Sequence, residues 1–363
     1  MYNYNYNLNN NSSRNAYPAP WYPPVPNGYY PPQPTREDVK KQQTKKLRRR
    51  SNGLGFFTLG YFALFQILAV IGMVVFALSG KDYQNSAGEY LLDIFMSAGA
   101  VILPAAIFLA VSDHKLSDGF SKTFVKPGLL VPLVLMGMGV AMVGNIAADI
   151  FDSNLSIFGL KNQVSMTADY HLNTLEIILY SVAVSIVPAF AEEFGFRGVL
   201  MGSLRKYGNG FAIVTSSIMF GLMHGNSTQM IFAFLVGLMF AYIDVITDSI
   251  LPSVILHFLN NFYAVTLDML NSNGSLDDDS LNIIYIAVVL LFIAGAVVSF
   301  IYLATTKKEI FKLTDKDMPE DSPASMLTLK EKYKAFFINP GVMISISVFL
   351  AEIILNFIPG LTS

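Results

Sequence analysis

The feature that most constrains this chain is a succession of apolar runs, each about 20 residues long. They span approximately residues 54–79, 90–111, 127–147, 177–201, 211–224, 229–246, 250–268, 282–304 and 341–358. A run of that length crosses the hydrocarbon core of a bilayer as an α-helix. No lipid-facing backbone group can be left without a hydrogen bond there, so helices that satisfy their own backbone are required. Composition agrees: 53% of residues are hydrophobic and only 14% charged, where a soluble domain carries about 25%. The expected fold is therefore all-α, a polytopic transmembrane bundle of about eight or nine spans in a lipid bilayer. The runs at 211–224 and 250–268 are the shortest or most interrupted by polar residues.

Residues 1–50 read differently. Tyr and Asn alternate from Tyr2 to Asn7, and prolines are dense from Pro18 to Pro34. With little to bury, this segment is expected to be a disordered tail, followed by a membrane domain over 51–363. The tail ends in Lys40, Lys41, Lys45, Lys46, Arg48, Arg49 and Arg50. Such a cluster beside a span retains the N-terminus in the cytoplasm and touches lipid headgroups; no nucleic-acid partner is implied. Alternation then puts Lys115, Lys122, Lys126, Arg205, Lys206 and the basic stretch from Lys307 to Lys334 inside. Asp149, Asp152, Asp169 and the run Asp277-Asp278-Asp279 fall outside, as the positive-inside rule asks. Dropping both weak runs together preserves the pattern. The stretch from Glu309 to Phe336 is expected to be a cytoplasmic loop, with an amphipathic helix on the headgroups.

Glu192, Glu193 and Arg197 lie inside the fourth run. An ionised group at mid-bilayer costs roughly 2.5–3.5 kcal/mol, so these three require partners or water. Glu193 and Arg197 are four residues apart and can pair on one helical face. Glu192 points about 100° away and is left for another task. Pro188, one turn earlier, should disturb the helix beside the pair. Two further patterns follow, Phe220-Gly221-Leu222-Met223-His224 and His257-Phe258-Leu259-Asn260-Asn261. His257 and Asn261 share a helical face, and Gly221 and Gly225 permit close helix approach around His224.

These residue types do a narrow range of chemistry. A carboxylate withdrawn from bulk water can act as a general base towards water, with a histidine sharing that water or moving its proton. A second histidine with an asparagine one turn on supplies donors for an oxyanion. Together they make an amide hydrolase without a covalent intermediate. The same side chains could hold a divalent metal, and a proton-relay transporter would use similar groups. The chain has no cysteine, which excludes thiol nucleophiles and thiolate metal ligands.

The order Glu-Glu-x-x-x-Arg, Phe-x-x-x-His and His-x-x-x-Asn resembles the signature of the CPBP (Abi or CAAX-protease) family of intramembrane proteases. That family includes the Ras-converting prenyl-protein endopeptidase and bacterial proteins linked to bacteriocin processing or immunity. The resemblance covers about residues 177–265. It implies that Glu192 activates water with His224 as its partner, that Glu193 and Arg197 are supporting residues, and that His257 and Asn261 stabilise the oxyanion. The implied substrate is a membrane-associated peptide or protein, and the implied location a bacterial plasma membrane. Members have been classed as metalloproteases, yet the glutamate-water scheme needs no metal. We expect metal-free catalysis, because Asn261 is a poor zinc ligand and Glu193 is committed to Arg197; zinc, if bound, would sit on Glu192, His224 and His257. His114 and His171 read as solvated loop residues, and Asp244, Asp248 and Glu176 as interfacial. Glu352 and Asn356, one turn apart in the last run, read as polar contacts inside the bundle. The Met136 to Met142 stretch reads as lipid-facing or helix-packing surface.

Overall fold

The computed structural model describes residues 34–80, 86–115, 124–162, 172–272, 276–313 and 322–358. Among them there are ten α-helices and no β-strand. The helices are α1 (Arg36–Ser79), α2 (Ala87–Val111), α3 (Pro127–Ile157), α4 (Thr174–Arg205), α5 (Asn209–Met223), α6 (Ser227–Thr247), α7 (Leu251–Ser272), α8 (Asp278–Thr306), α9 (Leu329–Phe337) and α10 (Pro340–Leu355). Residues 1–33, most of the expected tail, and His171 lie outside the described residues.

Helix α1 begins at Arg36, within the segment expected to be tail. A capping box explains the start: the Thr35 hydroxyl accepts from Asp38 N at 3.2 Å, and Thr35 N donates back to the Asp38 carboxylate at 3.0 Å. Its 44 residues make a rod of about 66 Å, roughly twice the thickness of a hydrocarbon core. The basic stretch is thus a helical extension beyond the membrane. It is packed, because Val39 and Leu47 are buried. Leu47 joins Phe336 of α9 and Phe211 of α5 in one apolar cluster. Helix α9 was expected on the headgroups; instead its apolar face, Ala335 and Phe336, is buried against protein.

Six helices are long and apolar enough to cross a membrane, or up to seven if α9 and α10, bent by 70°, form one span. Helix α5, with 15 residues, is about 22 Å long and falls short of the ~30 Å core. Helix α7 has the length but carries a polar stripe (Ser253, His257, Asn260, Asn261) that is buried or half-buried rather than lipid-facing. These were the two runs read as weakest. Their polarity is tolerated because other helices cover them. Lipid-facing surface lies elsewhere, on the exposed Ile67, Val70, Ile71 and Val74 of α1 and Leu290, Leu291, Val297 and Val298 of α8.

Two apolar cores hold the bundle. One gathers residues of α1, α2, α4, α5, α6, α9 and α10, and the other residues of α3, α6, α7 and α8. Helix α6 serves both, through Ala233 and Ala241 on one side and Val236 and Phe240 on the other. Gly137, Met138, Gly139, Ala141 and Met142 of α3 are buried, so that stretch is packing surface. Helices α1 and α10 run parallel with matched contacts: Asn52 to Gly341 N at 2.7 Å, Thr58 to Ser345 at 2.9 Å, Phe62 on Phe349, and Gln66 to Glu352 at 3.4 Å.

Candidate active site

Helix α4 carries both glutamates, and it is not uniformly α-helical. It widens to π-helical winding at Val182–Ile186 and again at Phe194–Met201, leaving a short α segment between them. Single π turns inside α-helices are often found at functional sites. Pro188 accounts for part of this. It has no N–H to offer the carbonyl of Val184 four residues earlier. Asn261 Nδ2 donates to that carbonyl instead, at 2.9 Å.

The two glutamates diverge as their spacing requires. Glu193 is fully buried and lies 3.0 Å from Arg197 Nε, itself 1% exposed. The guanidinium carbon sits 4.4 Å from the Phe220 ring centroid and 5.7 Å from that of Phe240. Arg197 therefore meets one carboxylate and two aromatic faces, while its Nη1 and Nη2 are buried without a hydrogen-bond partner among the described residues. Glu193 also accepts from His257 Nδ1 at 2.9 Å. Glu192 faces elsewhere: Tyr61 Oη of α1 donates to its Oε1 at 3.3 Å, and its Oε2 lies 4.0 Å from His257 Nε2. Its side chain retains 15% exposure. Of the two carboxylates, only Glu192 has no cation committed to it.

His224 closes α5 at the far end of that helix. Because α5, at 15 residues, is too short to span, the strict alternation of spans that would have put His224 at the opposite membrane face does not apply. The His224 ring stands edge-on to Phe220 at 4.9 Å, and Phe220 also meets His257 at 6.2 Å. His224 Nδ1 lies 2.7 Å from the Phe220 carbonyl. A carbonyl only accepts, so Nδ1 carries the proton and Nε2 is the free atom. The same logic applies to His257, whose Nδ1 faces an arginine-paired carboxylate. The structure thus places His257 against Glu192 and sets both His257 and His224 on the Phe220 ring, with Glu193, Arg197 and Asn261 around them.

Helix α7 is pinned by a stripe at i, i+4 and i+8. Ser253 meets Asp244 of α6, His257 meets Glu193, and Asn261 meets Val184 O. Asp244 accepts from Ser253 Oγ at 2.7 Å and Ser253 N at 3.2 Å. It is 2% exposed, so the interfacial reading is corrected: Asp244 caps the buried first turn of the helix that presents His257. Asp248 does lie at the surface, 3.1 Å from Arg205. His114, read as solvated, is buried at 5%. Sequence reasoning missed Tyr61, Asp244 and Ser253. Ser253 was within reach of inference, standing one turn before His257; Tyr61 is 131 residues from Glu192 and left no local signal.

Glu193 was assigned wholly to Arg197, yet it also orients His257, as a carboxylate behind a ligand histidine would. Even so, among the described residues no group of three or more His, Asp or Glu side chains is placed to hold a metal ion. The donor set as arranged does not fit one, and we route no step through a metal.

An all-α bundle with six or seven candidate spans defines the class, a polytopic membrane protein, and it encloses Glu192 and Glu193 beside His257. Residues 174–263 match the family described as Type II CAAX prenyl endopeptidase Rce1-like. The chain is 26% identical over 149 residues to the membrane-embedded CAAX protease MroQ of Staphylococcus aureus (strain USA300), covering 39% of this chain and 60% of that protein. It thus spans less than two thirds of the curated relative's length. No solved structure matches.

Proposed function

We propose that this protein is an intramembrane endopeptidase that hydrolyses a peptide bond in a membrane-associated protein or peptide, using water activated by Glu192. The observation that carries the reading is the contrast between adjacent glutamates: Glu193 is sealed between Arg197 and His257, while Glu192 is sheltered, partly accessible and held only by neutral or switchable partners. A water between Glu192 and the free Nε2 of His224 gives its proton to the carboxylate as its oxygen attacks the carbonyl carbon. Tyr61 steadies the other carboxylate oxygen. The developing oxyanion is met by the second N–H of Asn261 and by His257 Nε2, which donates in its imidazolium form. Protonated Glu192 then returns the proton to the leaving amine. The family match over 174–263 supports a proteolytic role.

The basic extension of α1 supports a cytoplasmic N-terminus in a bacterial plasma membrane, with substrate entering from the inner half of the bilayer. Quantitative proteomics of membranes from cells expressing wild type or Glu192→Gln tests the proposal. We expect uncleaved precursors of one or a few membrane-associated proteins to accumulate with the variant. Indistinguishable proteomes, together with a proton or ion flux in proteoliposomes that Glu192→Gln abolishes, would replace the protease with a transporter.

A further inference from the structure

Helix α10 lies outside the segment matched by the family and contributes none of the groups assigned to chemistry above. Its last turn nevertheless reaches the site. Asn356 is 6% exposed and donates through Nδ2 to the carbonyl of Gly225 at 2.7 Å. Gly225 follows His224 directly and has φ of +70°, a left-handed conformation that suits glycine. A Cβ at Gly225 would also lie 3.0 Å from Glu352 Cγ, one turn before Asn356.

The last carbonyls of a helix need partners from outside it. At the end of α5 one side chain supplies such a partner, and a second holds the first carbonyl beyond the cap. Asn226 Nδ2 donates to the His224 carbonyl at 3.3 Å while its Oδ1 caps α6 by accepting from Gln229 N at 2.9 Å. Asn356 takes the carbonyl of Gly225. The backbone on the C-terminal side of His224 is therefore fixed from α6 and from α10, and the ring is fixed from within by the Phe220 carbonyl. Helix α10 is in turn locked to α1 by Thr58 to Ser345 and Gln66 to Glu352, and α1 brings Tyr61 to Glu192.

We infer that Asn356 is a positioning residue for His224: its carboxamide holds the Gly225 carbonyl and so sets the direction of the imidazole towards Glu192. The inference rests on the role proposed for His224, and its primary test does not need activity. The full-length chain, labelled with 15N-histidine in lipid nanodiscs, reports the ring state and line width of His224, assigned by loss of its signals in His224→Gln. The inference expects one sharp Nδ1-protonated set in wild type, displaced or split in Asn356→Ala and in the isosteric non-donor Asn356→Asp. Asn356→Gln, which keeps the amide, should move back towards wild type. Turnover with a cleaved precursor should fall roughly 10- to 100-fold in the Ala and Asp variants with KM within about twofold, since a small misplacement costs on that order. Unchanged His224 signals in folded Asn356→Ala or Asn356→Asp overturn the inference, as does lowered thermal stability with unaltered signals. If Asn356→Ala does not fold, comparison of Asn356→Gln with Asn356→Asp decides by the same criterion. Displaced signals in a chain that cleaves nothing would support the latch and overturn the proteolytic reading instead.

Discussion

Replacing Arg197 by Met tests whether the buried ion pair is scaffold rather than chemistry. Arg197 and Glu193 are 1% and 0% exposed in their side chains. Removing one member of such a pair leaves a buried charge uncompensated, at a cost of about 3–5 kcal/mol. His257 Nδ1 still donates to Glu193, which favours the lower end of that range. Loss of the Phe220 and Phe240 contacts adds up to about 2 kcal/mol. We therefore expect about 3–6 kcal/mol, which at about 1.5 °C per kcal/mol for a chain of this size lowers the apparent Tm by at least roughly 4 °C. Thermal scans in one detergent at a fixed rate suit the measurement, because membrane proteins often unfold irreversibly. The double variant Arg197→Met/Glu193→Gln removes both charges, and most of the lost stability should return. A loss below about 1 kcal/mol, or a double variant as unstable as the single one, would refute the argument that Arg197 exists to neutralise Glu193.

Three further outcomes follow from the geometry. Tyr61→Phe removes a donor to Glu192 that sits at a long 3.3 Å; a hydrogen bond to a charged group is worth about 1.5–3 kcal/mol, so kcat/KM should drop about tenfold, and an unchanged value would remove Tyr61 from the site. Exhaustive chelation should leave peptidase activity within about twofold, and metal analysis should find zinc well below stoichiometric. Stoichiometric zinc whose removal and return switch activity off and on would make Glu192, His224 and His257 its ligands. At the end of α4, burial and then the Arg50 guanidinium hold the Lys206 ammonium down to about 8, although Asp113 pulls the other way. Between about 8 and the ordinary 10.5 the unfolded chain binds more protons, so stability should rise with pH across that window. Lys206→Met should flatten the rise in pH-dependent unfolding; an equally steep rise in that variant would show that another group causes it.

Much of the site was legible because helical spacing is a physical ruler. Glu192 and Glu193 had to diverge, Glu193 and Arg197 had to meet, and His257 and Asn261 had to share a face. Asn261 met something spacing could not foresee, the Val184 carbonyl freed by Pro188, because that depends on which helix packs opposite. The apolar runs located the helices, but run length alone could not separate lipid-facing spans from buried helices such as α5 and α7. That distinction lies in tertiary cover. Asp244 was misread for the same reason: a carboxylate near a helix end looks interfacial until another helix places a serine hydroxyl and N–H upon it. The start of α1 at Arg36 depended on Thr35 and Asp38 closing a capping box within a strongly charged stretch.

The matched segment, residues 174–263, contains every group assigned to the chemistry except one, yet it does not by itself account for their arrangement. Glu192 takes its hydrogen bond from Tyr61 of α1, and the turn after His224 takes one from Asn356 of α10. These two helices lie at opposite ends of the described chain and pack against each other in parallel through Thr58 and Ser345. Within the segment, the π turns of α4 and the three rungs of α7 fix Glu193, Arg197 and His257 relative to one another. Glu192 and His224, the pair proposed to share a water, are each steadied from outside it. The proposed acid-base pair is therefore set by the whole bundle, and substitutions in α1 or α10 should alter turnover while leaving the Glu193–Arg197–His257 network in place.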